Sequence, residues 1–211
     1  MANQYRVQNP VTNEVVETFD FATDQEIQDI LDRSEEAFKT WRTTSYEERA
    51  AIVGKAAQLL KERATELAQI AAEEMGKPIP EGEWEMNFSG DILQFYADNA
   101  AEHSADKKVD VPGGKAVVRR LPLGTLLGIM PWNYPIYQIA RFAGPNLMNG
   151  NCIILKHAEI TPKSAAAIEE IFREAGLPEG VYINIYADHD QIADVIADPR
   201  VQGVSLTGSE R

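Results

Sequence analysis

Cysteine is almost absent from this chain: Cys152 stands alone among 211 residues. A single thiol excludes an internal disulfide and fits a reducing, cytoplasmic compartment. Histidine is nearly as scarce. His103, His157 and His189 are scattered without metal-ligand spacing, so no metal site is expected. Positive charge is short as well: 20 Lys and Arg against 33 Asp and Glu leave a net charge of −13. That balance argues against a nucleic-acid or anionic-membrane partner and serves solubility instead. No apolar run approaches the ~18 residues of a membrane span, and the opening MANQYRVQNPVTNE lacks the charged-then-apolar pattern of a signal peptide. Repeats, low-complexity tracts and Gly/Ser linkers are missing too.

What is present falls into two textures. Residues 5–19 read as a short extended segment with a turn at Asn9-Pro10. Thr23 and Glu26 form a T-x-x-E capping box. Ile27, Ile30, Leu31, Ser34, Ala37, Phe38 and Trp41 then recur at helical spacing, so 24–41 is an amphipathic helix. Ser45 and Glu48 repeat the box ahead of one long alanine-rich helix running to about Met75, stopped by Gly76 and Pro78. A third helix, roughly 80–102, carries Trp84, Phe88, Ile92, Phe95 and Tyr96, whose spacing assigns them to the core. Residues 107–121 (KKVDVPGGKAVVRRL) predict a β-hairpin turning at Pro112-Gly113-Gly114, with polar, basic strands. It is either a solvated hairpin or an arm that adds to another subunit's sheet.

From Leu123 the pattern changes. Apolar runs at 126–130, 152–155, 181–186 and 201–206 alternate with helices near 135–148, 162–175 and 188–197. The middle helix has Thr161 as N-cap, Pro162 in its first turn and Gly176 at its end. Such alternation implies right-handed βαβ crossovers. The fold class is therefore α/β, an incomplete doubly wound parallel sheet of Rossmann-like type preceded by helices and a β-hairpin arm. Half a sheet of this kind exposes an edge and an apolar face.

Three polar motifs follow three of the strands: Pro131-Trp132-Asn133-Tyr134-Pro135, Lys156-His157-Ala158-Glu159 and Thr207-Gly208-Ser209. Ligands of open α/β sheets bind outside the carboxyl ends of the strands. The G-x-G-x-x-G signature is absent. GVSLTGS starts like a P-loop, but Glu210 occupies the lysine position, so an ATPase is rejected. The run 203–207 lacks the last glycine of a nucleophile elbow. Thr-Gly-Ser after a strand is either a phosphate-holding turn or simply a capped helix start. Two prolines around Asn133 fix a neutral amide donor, which suits oxyanion stabilisation; the plainer alternative is a strand-to-helix turn with Trp132 packed. Cys152 lies within an apolar strand, where it serves as a small buried hydrophobe rather than a nucleophile.

GIMPWNYP, ILKHAE and SLTGSE, in this order, resemble the N-terminal part of the NAD(P)-dependent aldehyde dehydrogenase superfamily, in a similarity that covers nearly all 211 residues. The resemblance implies an N-terminal strand and helical part (1–106), an oligomerisation hairpin (107–121) that would make a homo-oligomer, and a truncated cofactor-binding βαβ part (122–211), with the catalytic domain absent. It implies Asn133 as the oxyanion-hole amide and Lys156 and Glu159 as ligands of the adenosine ribose. Gly208 and Ser209 would lie at the pyrophosphate, and Met130, Pro131, Trp132, Asn133, His157 and Ala158 would complete the cofactor cradle. His157 stands where many members have proline, with little effect expected beyond local backbone freedom.

By the same resemblance, a thiolate attacks a small aldehyde, hydride passes to the nicotinamide, and a glutamate-activated water releases the acid. The family's nucleophile and base match no residue here, so the chain alone is expected to be inactive. It is then either the N-terminal piece of an oxidising enzyme, the preferred alternative, or a complete non-catalytic nucleotide-binding or subunit-pairing module. Arg211 falls where a helix should begin, which favours the piece. Glu159 would accept from both ribose hydroxyls and repel a 2′-phosphate, so NAD is expected over NADP, with Lys156 pulling the other way. Arg141, flanked by Ile139, Ala140, Phe142 and Ala143, needs a partner for its charge. It resembles the arginine of the succinate-semialdehyde dehydrogenase branch that meets the substrate's distal carboxylate.

Overall fold

The structure is a computed structural model and describes residues 4–209. The expected helix start at Arg211, and Glu210 with it, lie outside the described residues. Strands β1 (Tyr5–Gln8) and β2 (Val15–Phe19) pair antiparallel, so the extended segment at 5–19 is a hairpin. Helices α1 (Asp24–Trp41) and α2 (Tyr46–Glu62) begin at the two capping boxes, both reciprocal. Each box satisfies two backbone donors that a helix start would otherwise leave open.

The long helix expected up to Met75 is two helices. Arg63 leaves helical geometry (φ −101°, ψ 17°) between α2 and α3 (Ala64–Met75). Its guanidinium pairs with Glu66 on α3 and reaches Glu174 across the interface. Alanine-rich periodicity runs through the break, and both halves pack against α4 (Ile79–His103). A second correction concerns α4. Its buried side is made of Gly82, Glu85, Met86, Ser89, Gly90 and Leu93. Trp84, Phe88 and Phe95 are exposed, and Ile92 and Tyr96 are half-buried. Small residues bring the α4 backbone close to α2 and α3, which turns the aromatics onto the free side.

Strands β3 (Lys107–Val111) and β4 (Gly114–Val118) form the expected hairpin, exposed along almost its whole length. Although lysines mark its ends, Val109, Val111, Val117 and Val118 are open to solvent.

The remaining strands β5 (Thr125–Met130), β6 (Cys152–His157), β7 (Tyr182–Ile185) and β8 (Val201–Leu206) form one parallel sheet in the order β7-β6-β5-β8. Helices α5 (Pro135–Met148), α6 (Pro162–Glu174) and α7 (His189–Ala197) connect them. One core unites α2, α4, α5 and α6 with Ile153 and Leu155; the other joins α1 and α7 to Leu127, Ile154, Ile183 and Ile185. Both faces are thus covered, as parallel strands require. β8 is the exception: Val204 and Leu206 stay exposed, the bare edge expected of an incomplete sheet.

The chain passes from β7 to β8 by crossing to the far side of β5, so the topological switch lies between β5 and β8. Gly180, entering β7, has φ +86°, and a Cβ there would lie 2.7 Å from the Arg33 carbonyl oxygen and 2.8 Å from Ala37 Cβ on α1. Gly176 has φ +96° but open space around it. Urea unfolding should therefore show Gly180→Ala costing about 3 kcal/mol, from left-handed backbone plus overpacking, against about 1 kcal/mol for Gly176→Ala. Equal losses would mean that α1 does not pack tightly on this turn.

Candidate active site

The carboxyl ends of the four strands bring the polar motifs together. Met130 ends β5 opposite His157 at the end of β6, and Ile129 pairs with Leu206 at the end of β8. Loop 131–134 thus borders the motif after β8 at the switch, with the motif after β6 on its other side.

The loop between β5 and α5 is held from behind. Lys77 Nζ donates to the Asn133 carbonyl at 2.9 Å and pairs with the Glu85 carboxylate. The other Glu85 oxygen accepts from the Ile136 and Tyr137 N–H groups at 2.9 and 3.0 Å. α5 has no local side-chain cap, because Tyr134 holds the N-cap position and Pro135 the first turn. The Asn133 amide itself has no hydrogen-bond partner among the described residues and faces solvent, as do Trp132 and Tyr134. Trp132 is therefore not packed into the turn.

At the end of β6, Lys156 is buried and its ammonium pairs with the half-buried Glu159 carboxylate. Burial pushes the Glu159 carboxyl up, but the Lys156 ammonium outweighs it and holds the group below the ordinary carboxylate range. His189 Nε2 lies 3.7 Å from the same carboxylate. Ala158 is half-buried.

His157 departs from expectation. Its ring is wholly buried and turned into the protein, so it offers no side chain to a cofactor. Nδ1 accepts from Ala158 N–H at 2.9 Å and meets Thr161 Oγ1 at 2.7 Å; Nε2 lies 3.0 Å from the Pro135 carbonyl and must donate to it. Far from merely loosening the backbone, His157 ties the end of β6 to the start of α5. Thr161 occupies the N-cap position of α6, but its hydroxyl serves the imidazole rather than the helix. That helix start is capped instead by Glu74 of α3, which accepts from Lys163 and Ser164 N–H.

After β8, Thr207 N–H donates to the Ile129 carbonyl at 3.0 Å, and Gly208 and Ser209 are exposed with open space at Gly208. Arg141 also corrects its expectation. Ile139, Ala140 and Ala143 face the core, while Arg141 projects to solvent and has water available for its charge. It lies over the Tyr137 ring, 5.3 Å away, and makes no ion pair among the described residues. It lines a groove of about 460 Å³ with Phe88, Phe95, Tyr96 and Tyr137, and a second of about 150 Å³ reaching Met130 and Thr207. Cys152 is buried, and burial pushes its thiol up to about 12.

Lys77 and Glu85 are the site residues that sequence reasoning missed. Their only trace is that Glu85 shares the helical spacing of Gly82, Met86, Ser89 and Leu93, which makes it a charge on a buried stripe.

Burial holds His157 neutral and pushes its pKa down to about 4, from an ordinary 6.5. Because the folded value is the lower one, its stabilising contribution is complete above about pH 6.5 and is lost as pH falls through 4. The stability gap between the native chain and His157→Gln should therefore shrink by about 3 kcal/mol from pH 7 to pH 4 in urea unfolding. A gap independent of pH would mean that the imidazole is not held neutral.

The sequence profile described as "Aldehyde dehydrogenase family" matches residues 1–211. The chain is 47% identical over 203 residues to a succinate-semialdehyde dehydrogenase [NADP(+)] of Deinococcus radiodurans, covering 96% of this chain and 43% of that protein. It is 36% identical over 203 residues to succinate semialdehyde dehydrogenase [NAD(P)+] Sad of Escherichia coli, covering 96% and 44%. The crystal structure of succinic semialdehyde dehydrogenase from Streptococcus pyogenes with NADP+ superposes with a TM-score of 0.92 at 39% identity, over 95% of this chain and 44% of that one. The chain thus spans less than half the length of these relatives. With profile, relatives and fold in agreement, the chain belongs to the aldehyde dehydrogenase family.

Proposed function

We propose that this chain is the N-terminal, cofactor-binding part of an enzyme that oxidises an ω-carboxylated aldehyde, succinic semialdehyde first, to its acid with NAD(P). The observation that carries this is the convergence of three polar loops at the switch of the parallel sheet, with a free Asn133 amide on the middle one. The relatives' names support the substrate. In domain terms, 1–106 and 122–211 build the cofactor part, and the hairpin 107–121, with its exposed valines, is the arm of a homo-oligomer. A cytoplasmic setting, without nucleic acid or membrane, accords with the lone thiol and net charge of −13.

The residues present fit a dinucleotide. Glu159 offers acceptors for ribose hydroxyls beside the Lys156 ammonium, and Gly208 and Ser209 offer an open turn for a pyrophosphate. Met130, Pro131, Trp132 and Ala158 would shape the cradle, with His157 acting only from behind it. When bound, NAD(P) supplies the hydride acceptor. Glu159 was the ground for expecting NAD over NADP, but its charge is already balanced by Lys156 and faced by His189. That balance weakens repulsion of a 2′-phosphate and accords with NADP(+) in the relatives' names. Asn133 donates its amide N–H to the oxyanion that forms when a nucleophile adds to the aldehyde carbonyl. The Arg141 guanidinium, beside aromatic walls, takes the substrate's far carboxylate.

Two measurements test this. In a full-length enzyme carrying these residues, Arg141→Ala should raise KM for succinic semialdehyde about 30-fold, on the order of 2 kcal/mol for a charged hydrogen bond, while sparing butanal. Equal losses for both aldehydes would make Arg141 structural. The 211-residue chain by itself should form no NADH with any aldehyde, because its one thiol is buried and stays protonated. Aldehyde-dependent NADH formation that vanishes in Cys152→Ser would overturn this assignment.

A further inference from the structure

Two oppositely charged side chains, Lys77 and Glu85, are 5% and 0% exposed behind the loop that carries Asn133. A buried ion pair adds little to stability unless its remaining hydrogen-bonding capacity is used, because desolvation offsets the attraction. Here that capacity is spent on one target. Lys77 Nζ gives one hydrogen bond to Glu85, another to the Asn133 carbonyl, and lies 4.0 Å from the Tyr134 ring centre. Glu85 takes the first two free N–H groups of α5, at Ile136 and Tyr137. A single pair thereby fixes the main chain at 133, 136 and 137, on both sides of Pro135. Lys77 sits just before α4 and Glu85 within it, so the anchor belongs to the helical layer, not to the loop.

We infer that Lys77 and Glu85 are positioning residues that hold the backbone of Asn133 so that its side-chain amide points at the oxyanion. This rests on the proposed oxyanion role of Asn133. An oxyanion donor works only when its direction is set before reaction, and about 1 Å of drift can cost about a hundredfold in rate. Neither side chain needs to touch substrate.

The test is a double-mutant cycle in a full-length enzyme carrying these residues, read as kcat, aldehyde KM and cofactor Kd. Asn133→Ala should lower kcat on the order of a hundredfold or more. Lys77→Met should lower kcat by about 10- to 100-fold, with aldehyde KM and cofactor Kd changed less than about threefold. Added to Asn133→Ala, it should lower kcat by less than about twofold more, since the amide it aims is gone. Glu85→Gln keeps an acceptor for α5 but loses the charge pair. It should follow the same pattern more weakly, and it carries the test if Lys77→Met does not fold. Losses that multiply in the double variant, or an unchanged kcat in folded Lys77→Met and Glu85→Gln, would overturn the positioning role while leaving the oxyanion role intact. An unchanged kcat in Asn133→Ala would instead remove the oxyanion role and the inference with it.

Discussion

A parallel strand has to be covered on both faces, and the rest of this structure follows from that requirement. β5 and β6 are buried almost throughout, so they need a helical layer on each side. The crossovers through α5 and α6 cover one face, and α1 and α7 cover the other. α2, α3 and α4 then form a further layer over α5 and α6. Because crossovers begin at the carboxyl ends of strands, the same constraint gathers the helix starts of α5 and α6 at one edge. The functional loops lie where they do because the sheet could be wrapped only in this way.

Helix starts at that edge face a particular difficulty. Each helix exposes backbone N–H groups that need acceptors. α1, α2 and α7, the last of them a crossover helix that starts at this same edge, solve this locally, with Thr23, Ser45 and Asp188 in reciprocal boxes. The two neighbours of α7 at the edge, α5 and α6, open with proline and have no local side-chain cap. Their N–H groups are taken by carboxylates from the helical layer, Glu85 for α5 and Glu74 for α6. Burial pushes Glu74 up to about 7, against the Ser164 hydroxyl and the N–H groups that favour its charge. Leaving one member of a buried pair such as Lys77–Glu85 unpartnered costs about 3–5 kcal/mol. Remote capping therefore ties the starts of α5 and α6 to the layer behind them, and the Asn133 side chain takes no part in the capping.

His157 completes this arrangement. A buried imidazole donates from one nitrogen and accepts at the other only while neutral. In that form it links the end of β6 to Pro135, the residue between the two anchors made by Lys77 and Glu85. Lys156, its neighbour on β6, turns the opposite way and pairs with Glu159 beyond the strand end, so strand alternation divides one motif between fold and site.

Local physics was legible in the sequence wherever a residue's partners lie within a few positions. The capping boxes, the hairpin turn at Gly113, the alternation of strands and helices after Leu123 and the three polar loops all depend on near neighbours. So did the inward setting of Cys152, from its apolar run. Tertiary structure alone decided whatever depends on distant packing. It split the long helix at Arg63 into two pieces that both pack on α4. It turned Trp84, Phe88 and Phe95 outward, because glycine and serine gave α4 a closer approach on the opposite side. It brought Arg141 to the surface, and it joined Lys77 to Asn133 and Glu85 to Ile136 across more than fifty residues. Hydrophobic periodicity records which residues prefer burial, but not which charge a buried neighbour will require.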